Sequence, residues 1–188
     1  MKGEDVNAAI RIPIEDAYGG AARTISLDVP EADANGAVRR RQKKLNVKIP
    51  AGVTAGKRIR LEKQGGPGYG GSPAGDLYLA VDFEPHPFYR PDGRDIHLEL
   101  PVTPWEAALG RKVKVPTLGG PVDLQIPGGS STGKILRLKG RGLPGKPAGD
   151  QYVELKVVVP PAGDETIREL YEALEREHNV NPRARLGV

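Results

Sequence analysis

The sequence predicts a mainly β fold, in which two tandem, similar small β-sandwich domains precede a C-terminal amphipathic helix. Three observations lead to this fold class. The chain of 188 residues repeats part of its own sequence, most of its apolar residues alternate with polar ones, and the period of that pattern changes near the C-terminus.

The repeat comprises three blocks that occur twice in the same order. Residues 5–20, 49–61 and 73–87 match residues 95–110, 126–138 and 147–161. The third block, for example, is PAGDLYLAVDFEPHP in the first copy and PAGDQYVELKVVVPP in the second. The period is too long for a solenoid, so we interpret the repeat as a tandem duplication of one small fold unit.

Each copy contains about five runs in which apolar and polar residues alternate, and such runs predict strands with one buried face. The runs are VNAAIRI, RTISLDV, LNVKI, RIRLE and LYLAVDF in the first copy, and IHLELPV, KVKVP, VDLQI, ILRLK and YVELKVVV in the second. The segments IEDAYGG and PWEAALGR predict a helical turn after the first strand of each copy, and HPFYRPDGRD predicts a turn-rich linker. Because sheets with one buried face pack on each other, each copy predicts a β-sandwich.

The pattern changes from strand to helix spacing after Pro161. Four apolar side chains then follow at i, i+3, i+4 and i+7, the spacing of one helix face, namely Ile167, Leu170, Tyr171 and Leu174. Asp164 is predicted to cap the N-terminus of this helix.

These elements predict the domain organisation of the chain. We expect a first β-sandwich domain over residues 1–90, a second over 91–160, a helix within 161–180 and a tail over 181–188.

Composition excludes several classes of function. The chain has no Cys, which rules out disulfides and thiolate metal sites. His86, His97 and His178 lack the spacing of metal ligands, so we expect no metal. No run of 18 apolar residues is present and the N-terminus lacks the apolar run of a signal peptide, so we expect a cytoplasmic location. The net charge of +4 is compatible with acidic partners.

Two glycine-rich stretches resemble nucleotide-binding motifs, but neither is followed by a predicted helix. GGSSTGK, residues 128–134, is followed by Ile135 where a phosphate-binding loop needs Ser or Thr, and GPGYGG, residues 66–71, leads into no helix. Both predict loops. Asp76 and Asp150 are equivalent in the two copies and predict turn groups. We find no catalytic triad or close acid pair, and therefore expect no enzyme activity and no cofactor.

Differences between the copies are the better guide to function. The first copy has a basic run, VRRRQKK at residues 38–44, which is typical of a solvated surface and also of an anion-binding site. It also has an apolar strip formed by Ala8, Ile10, Ile25 and Leu27. That strip is either core or a groove in which an extended peptide adds as a strand. Leu98 and Leu100 occupy the matching places of the second copy and would fill that space.

The order of these motifs resembles the C-terminal client-binding region of J-domain co-chaperones, the DnaJ family. The resemblance rests on IPAGVTAGKRIRL, PAGDLYLAV, HPFYRPDGRDI, LPVTPWEAALG and IPGGSSTGKILRLKGRGLP, and it covers residues 4–178. The absence of Cys agrees with the class that lacks a zinc module, to which bacterial curved-DNA-binding relatives of DnaJ belong. The His-Pro-Asp tripeptide of a J domain does not occur, so we expect that this chain alone does not stimulate the ATPase of a DnaK-type chaperone.

The resemblance implies a binding function for three groups of residues. It implies a groove for unfolded client polypeptides at Ala8, Ile10, Ile25, Leu27 and Leu79. It implies a site for the acidic tail of a DnaK-type chaperone at Arg23, Lys43 and Lys44. It implies a homodimer formed through Ile167, Leu170, Tyr171 and Leu174. A DNA-binding module that uses the basic surface is the alternative function.

Overall fold

The structure, a computed structural model, describes residues 2–32 and 38–187, with side chains described outside 29–32 and 38. It confirms the mainly β fold class. The first copy contains β1 (Val6–Ile12), α1 (Ile14–Gly19), β2 (Ala21–Ala32), β3 (Val38–Ile49), β4 (Arg58–Leu61) and β5 (Leu77–Phe83). The second copy contains β7 (Asp95–Val102), α2 (Pro104–Leu109), β8 (Lys112–Val115), β9 (Val122–Gln125), β10 (Ile135–Leu138) and β11 (Gln151–Val157). The expected domain limits remain a prediction.

The sheets follow the duplication. In the first copy β1 pairs with β5 in parallel and β5 pairs with β4 antiparallel, while β2 and β3 form a separate long hairpin. In the second copy β7, β11 and β10 repeat the first sheet, and β8 with β9 repeats the hairpin with much shorter strands. The alternation seen in the sequence places Leu77, Leu79 and Val81 of β5 in the core, as it does Val153 and Leu155 of β11.

The linker between the copies contains a strand that the sequence analysis did not predict. β6 (Tyr89–Asp92) pairs antiparallel with the start of β7, so the second sheet has the order β10-β11-β7-β6. The two strands are joined across Gly93, whose φ of 58° is a conformation that favours glycine. The segment was interpreted as turns alone because Pro91 and the Asp-Gly pair dominate its sequence.

An aspartate at the start of β5 fixes the junction between β5 and the chain before β1. The Oδ1 atom of Asp76 accepts the N–H of Lys63 at 2.9 Å, and its Oδ2 atom accepts from Nη2 of Arg60 at 2.9 Å. The N–H of Asp76 donates to Oδ1 of Asp5 at 2.7 Å. The Lys63 hydrogen bond, followed by the Arg60 contacts, holds the pKa of Asp76 below its ordinary value.

The second copy repeats this arrangement at Asp150. Its carboxylate accepts the N–H of Gly140 and Nε of Arg137, each at 2.7 Å, while its own N–H donates to Oδ1 of Asp95 at 2.8 Å. The Gly140 hydrogen bond, with the Arg137 contacts, likewise keeps the pKa of Asp150 low. The duplicated aspartates are therefore turn groups, as the sequence predicted.

The C-terminal helix is α3 (Glu165–His178), and a short 3₁₀ turn (Ala184–Leu186) follows it. Oδ1 of Asp164 accepts the N–H of Ile167 at 2.9 Å, which confirms the predicted N-cap. No residue of α3 is buried. Among residues 2–32 and 38–187, no helix has the length and apolar character needed to span a membrane.

We predict that Asp76→Asn lowers the stability of the fold at pH 7 and flattens its dependence on pH. Because the folded state holds the pKa of Asp76 below the ordinary 3.8, its contribution is fully present well above that value and is lost as the pH falls below it. Urea unfolding at pH 7 and pH 3 measures this. Asp92→Asn, at an exposed carboxylate, is the control, and an unchanged pH slope in Asp76→Asn would contradict the assignment.

Candidate functional site

Strand β1 lies at the edge of the first sheet and pairs with one strand in the described part of the chain. β1 pairs with β5 from Val6 to Ile12. The N–H of Val6 donates to the backbone carbonyl of Asp76, and the carbonyl of Ile12 accepts the backbone N–H of Glu84. The even-numbered peptide groups of β1 therefore point toward β5. Because successive peptide groups alternate in direction, the odd-numbered groups of β1 point to the opposite side. No strand pairing joins this side to β2 among the described residues.

The structure divides the predicted apolar strip into a core part and a surface part. Leu79 is 0% exposed and Ile10 is 8% exposed, so both belong to the hydrophobic core. Ala8, Ile25 and Leu27 are half-buried and pack against that core from its margin. The three marginal side chains are therefore the accessible members of the set, while Ile10 and Leu79 belong to the core.

In the β2–β3 hairpin, the apolar side chains of β2 lie next to basic side chains of β3. Ile25 lies opposite Leu45, which is buried, and Leu27 lies opposite Lys43. Directly opposed residues of an antiparallel pair share one face. Along this face of the hairpin, apolar side chains at the base are therefore followed by positive charge.

The basic run lies within β3 and does not form a loop between β2 and β3. Its residues from Arg39 to Lys44 are exposed, and strand alternation directs their side chains to opposite faces. Lys43 shares the face of Leu27, whereas Lys44 lies opposite Ser26 on the other face. The two predicted anion-binding lysines therefore do not converge on one point.

Arg23 is bound to an acidic partner of its own. Its Nε and Nη2 atoms donate to Oδ2 and Oδ1 of Asp16 in α1 at 2.6 and 2.8 Å. These hydrogen bonds raise the pKa of the Arg23 guanidinium above its already high ordinary value. The negative charge of Asp16 offsets the positive charge of Arg23, so Arg23 attracts a further carboxylate less strongly. Of the basic residues predicted to bind an acidic tail, Lys43 is therefore better placed than Arg23.

The apolar face of α3 forms a second surface. Leu170 is 62% exposed and Leu174 is 59% exposed, while Ile167 and Tyr171 are half-buried. The hydroxyl of Tyr171 donates to the carbonyl of Pro160 at 3.1 Å and fixes the helix beside the end of the second copy.

A small apolar cavity of about 240 Å³ lies along this face. The four predicted interface residues line it together with Trp105, Pro160 and Pro161. Trp105, which is exposed on α2, was not among the residues predicted for this surface. A comparison of the two copies could have identified this residue, because Trp105 occupies the position of Glu15 in the first copy.

Comparisons with known proteins agree with the resemblance. The family model described as DnaJ C terminal domain matches residues 6–160. The chain is similar to proteins named "Curved DNA-binding protein". That of Coxiella burnetii (strain RSA 493 / Nine Mile phase I) is 48% identical over 187 residues, which cover 99% of this chain and 60% of the relative. That of Serratia proteamaculans (strain 568) is 47% identical over 186 residues, covering 97% and 60%. The chain thus spans about three fifths of the length of these curated relatives.

We predict that Ile10→Ser and Leu27→Ser differ in their effect on stability. Ile10→Ser leaves a cavity and a hydroxyl in the core and costs about 2–5 kcal/mol of the free energy of unfolding. Leu27→Ser removes a half-exposed side chain and costs about 1 kcal/mol. Urea unfolding at pH 7 distinguishes the two, and equal losses would show that Leu27 is also core.

Proposed function

We propose that the chain, which belongs to the DnaJ C-terminal domain family, is a client-binding module of a co-chaperone. In this role it holds unfolded polypeptide for transfer to a DnaK-type chaperone in the cytoplasm. The observation that carries the proposal is the half-buried state of three apolar side chains of the first copy, Ala8, Ile25 and Leu27, which pack against the core from its margin. The family is of the chaperone type rather than an enzyme family, and binding without chemistry is the proposed mechanism.

Binding energetics fit a module that must release its client. Each apolar side chain that a client buries fully contributes roughly 1.5–3 kcal/mol. Ordering an extended peptide and ending its free motion cost several kcal/mol. With three side chains at the margin, one groove binds in the micromolar range or more weakly. Two grooves in a dimer raise the effective affinity through local concentration.

The basic part of the hairpin supplies a place for an acidic peptide tail. Lys43 is on the same face as Leu27, so a segment with an apolar residue near Leu27 and carboxylates beyond it meets complementary charge. This order of chemistry suits the acidic tail proposed for a DnaK-type partner. Arg23 and Lys44 contribute less to it, because Arg23 binds Asp16 and Lys44 is on the opposite face.

DNA binding is the second candidate function. Two observations favour it, namely the exposed basic residues on both faces of β3 and the name of the relatives. A surface of this kind binds phosphates without sequence specificity, and its affinity falls steeply as salt increases.

A homodimer through α3 would bring two grooves together. Leu170 and Leu174 have the most area left to bury, and together they contribute roughly 3–6 kcal/mol before the cost of association. Trp105 extends the same apolar surface. We therefore expect a dimer that dissociates on dilution.

We predict that Ile25→Ser with Leu27→Ser abolishes most suppression of client aggregation and leaves DNA binding intact. Loss of two apolar contacts weakens client binding by about tenfold or more. Light scattering of a chemically denatured client measures the first activity and duplex retardation measures the second. Ile135→Ser, at an exposed isoleucine of the second copy, is the matched control.

The charge variants Lys43→Glu and Lys44→Glu complete this experiment. If DNA binding is the function, both reduce duplex affinity and its dependence on salt. If full suppression of aggregation persists in the serine variant, the groove proposal is wrong.

We predict that Leu170→Asp with Leu174→Asp produces a monomer. Two carboxylates on the apolar face of α3 oppose its burial against a second copy. Size-exclusion chromatography with light scattering measures the mass, and Leu186→Asp, at an exposed leucine beyond α3, is the control. A dimer that persists in the double variant would refute the interface.

A further inference from the structure

Helix α1 of the first copy differs from its counterpart α2 in what its outer side chains meet. In the repeat, Glu15 of α1 corresponds to Trp105 of α2, and Tyr18 corresponds to Ala108. Trp105 and Ala108 are exposed, and Trp105 borders α3. Glu15 and Tyr18 instead have partners in the linker and in the second copy.

The hydroxyl of Tyr18 reaches the tip of the β8–β9 hairpin in the second copy. This tip is a turn in which the N–H of Gly120 donates to the carbonyl of Thr117 at 3.0 Å. A Cβ atom at residue 119 would lie 2.5 Å from the Tyr18 oxygen, closer than the 3.0 Å that real Cβ atoms keep. The contact therefore depends on glycine at residue 119. Nη1 of Arg141, from the loop after β10, lies 3.7 Å from the same point.

A turn of the first copy brings backbone atoms of the two copies together. This turn, residues 50–53, is tied to α1, because the N–H of Gly52 donates to the carbonyl of Ala17 at 2.6 Å. A Cβ atom at residue 52 would overlap the backbone carbonyl of Pro144, in the loop that joins β10 to β11. The turn and the loop thus pack against each other without room for a methyl group.

The matching turn of the second copy has no such neighbour. Gly129 occupies the place of Gly52 in the repeat and has a similar backbone, with a φ of 72° against 80°. Beyond its own turn, no atom of the residues that the structure describes lies within 4 Å of a Cβ placed at residue 129. Gly129 is exposed, whereas Gly52 is half-buried. The close packing at Gly52 is therefore a feature of the first copy and not of the turn itself.

The linker makes a further contact with α1. Nδ1 of His86 accepts the N–H groups of Phe88 and Tyr89 at 3.2 and 3.0 Å, so the hydrogen of the neutral ring is on Nε2. Nε2 then donates to Oε1 of Glu15 at 3.2 Å. Tyr89 is only 6% exposed, and it belongs to one continuous apolar cluster that contains buried residues of both copies.

We infer that α1 is the centre of a rigid joint that locks the two copies into one unit. The joint consists of α1, the turn at residues 50–53, the hairpin tip at 117–120 and the loop at 140–149, with His86 holding the linker. A linker alone leaves neighbouring domains free to move. Contacts at separate points around one helix, one of them between backbone atoms, remove that freedom. The two copies therefore keep one relative orientation and unfold together.

The joint goes beyond client binding and does not depend on it. It fixes where the half-buried side chains of the first copy lie relative to α3 at the other end of the chain. In a dimer formed through α3, the joint would hold the two first copies at one separation.

Gly52→Ala and Gly129→Ala test the joint as a matched pair. Both place a methyl group on a backbone with positive φ and cost similar strain, but only Gly52→Ala forces the copies apart. Hydrogen exchange of the whole chain in increasing urea, read by mass spectrometry, gives an unfolding midpoint for peptides of each copy. We expect the two midpoints to coincide in the parent chain and in Gly129→Ala. In Gly52→Ala they separate, with the first copy unfolding at lower urea. Separate midpoints in the parent chain, or coincident ones in Gly52→Ala, overturn the inference.

A distance measurement tests the fixed orientation. Because the chain has no cysteine, Lys57→Cys with Lys134→Cys, at equivalent exposed positions of the two copies, provides two unique sites for spin labels. Dilution with unlabelled chain restricts pulsed electron resonance to pairs within one chain. We expect one narrow distribution of distances between the labels.

Tyr18→Ala, added to the labelled chain, removes one contact of the joint without a change of backbone. It gives α1 the residue that α2 has at the equivalent position, so it remains a test if Gly52→Ala does not fold. We expect the narrow peak to be lost in Tyr18→Ala and kept in Tyr78→Ala, a control at a half-buried tyrosine of β5 outside the joint. A broad distribution in the parent chain, or a peak that Tyr18→Ala leaves unchanged, overturns the inference.

Discussion

The parallel pairing of β1 with β5 joins the first strand of the first copy to its last and determines which peptide groups of β1 point outward. A parallel ladder uses every second peptide group of an edge strand and directs the others outward. With β5 on one side and no described strand on the other, β1 presents the odd-numbered peptide groups beside the half-buried side chain of Ala8. In the second copy the equivalent strand β7 is paired on both sides, with β11 and with the linker strand β6.

Comparison of the two copies separates residues that maintain the shared fold from features that are present in one copy alone. Asp76 and Asp150 accept hydrogen bonds from residues at equivalent positions of the two copies, Lys63 and Gly140, so both aspartates belong to the common fold. The hairpin differs, because β2 and β3 of the first copy are long and β3 contains the basic run, whereas β8 and β9 are short. The long hairpin, with Lys43 opposite Leu27, is specific to the first copy. The exposed Trp105 is specific to the second copy and extends the apolar surface near α3.

Much of the fold was predictable from the sequence, because strand alternation, the repeat and the helix period are local signals. They gave all five strands of each copy, both helical turns, the C-terminal helix and its Asp164 cap. The missing strand, β6, has no alternating apolar run, although its first residue, Tyr89, is buried where β6 pairs with β7. Alternation also could not show which apolar residues of the strip are accessible. Ile10 and Leu79 are buried, whereas Ile25 and Leu27 are half-buried, because depth depends on packing between sheets. The pairing of Arg23 with Asp16 was likewise beyond the sequence, since it joins β2 to α1 in space.

Amide hydrogen exchange, read residue by residue by NMR, tests the central claim most directly. It is measured on the chain alone and on the chain saturated with a permanently unfolded client. The account predicts that a bound client slows exchange at the outward-pointing amides of Asn7 and Ala9 in β1, while His97, whose edge is already paired with β6, is unchanged. Protection confined to the second copy, or no change in β1 at saturating client, would contradict the proposal that the first copy binds the client.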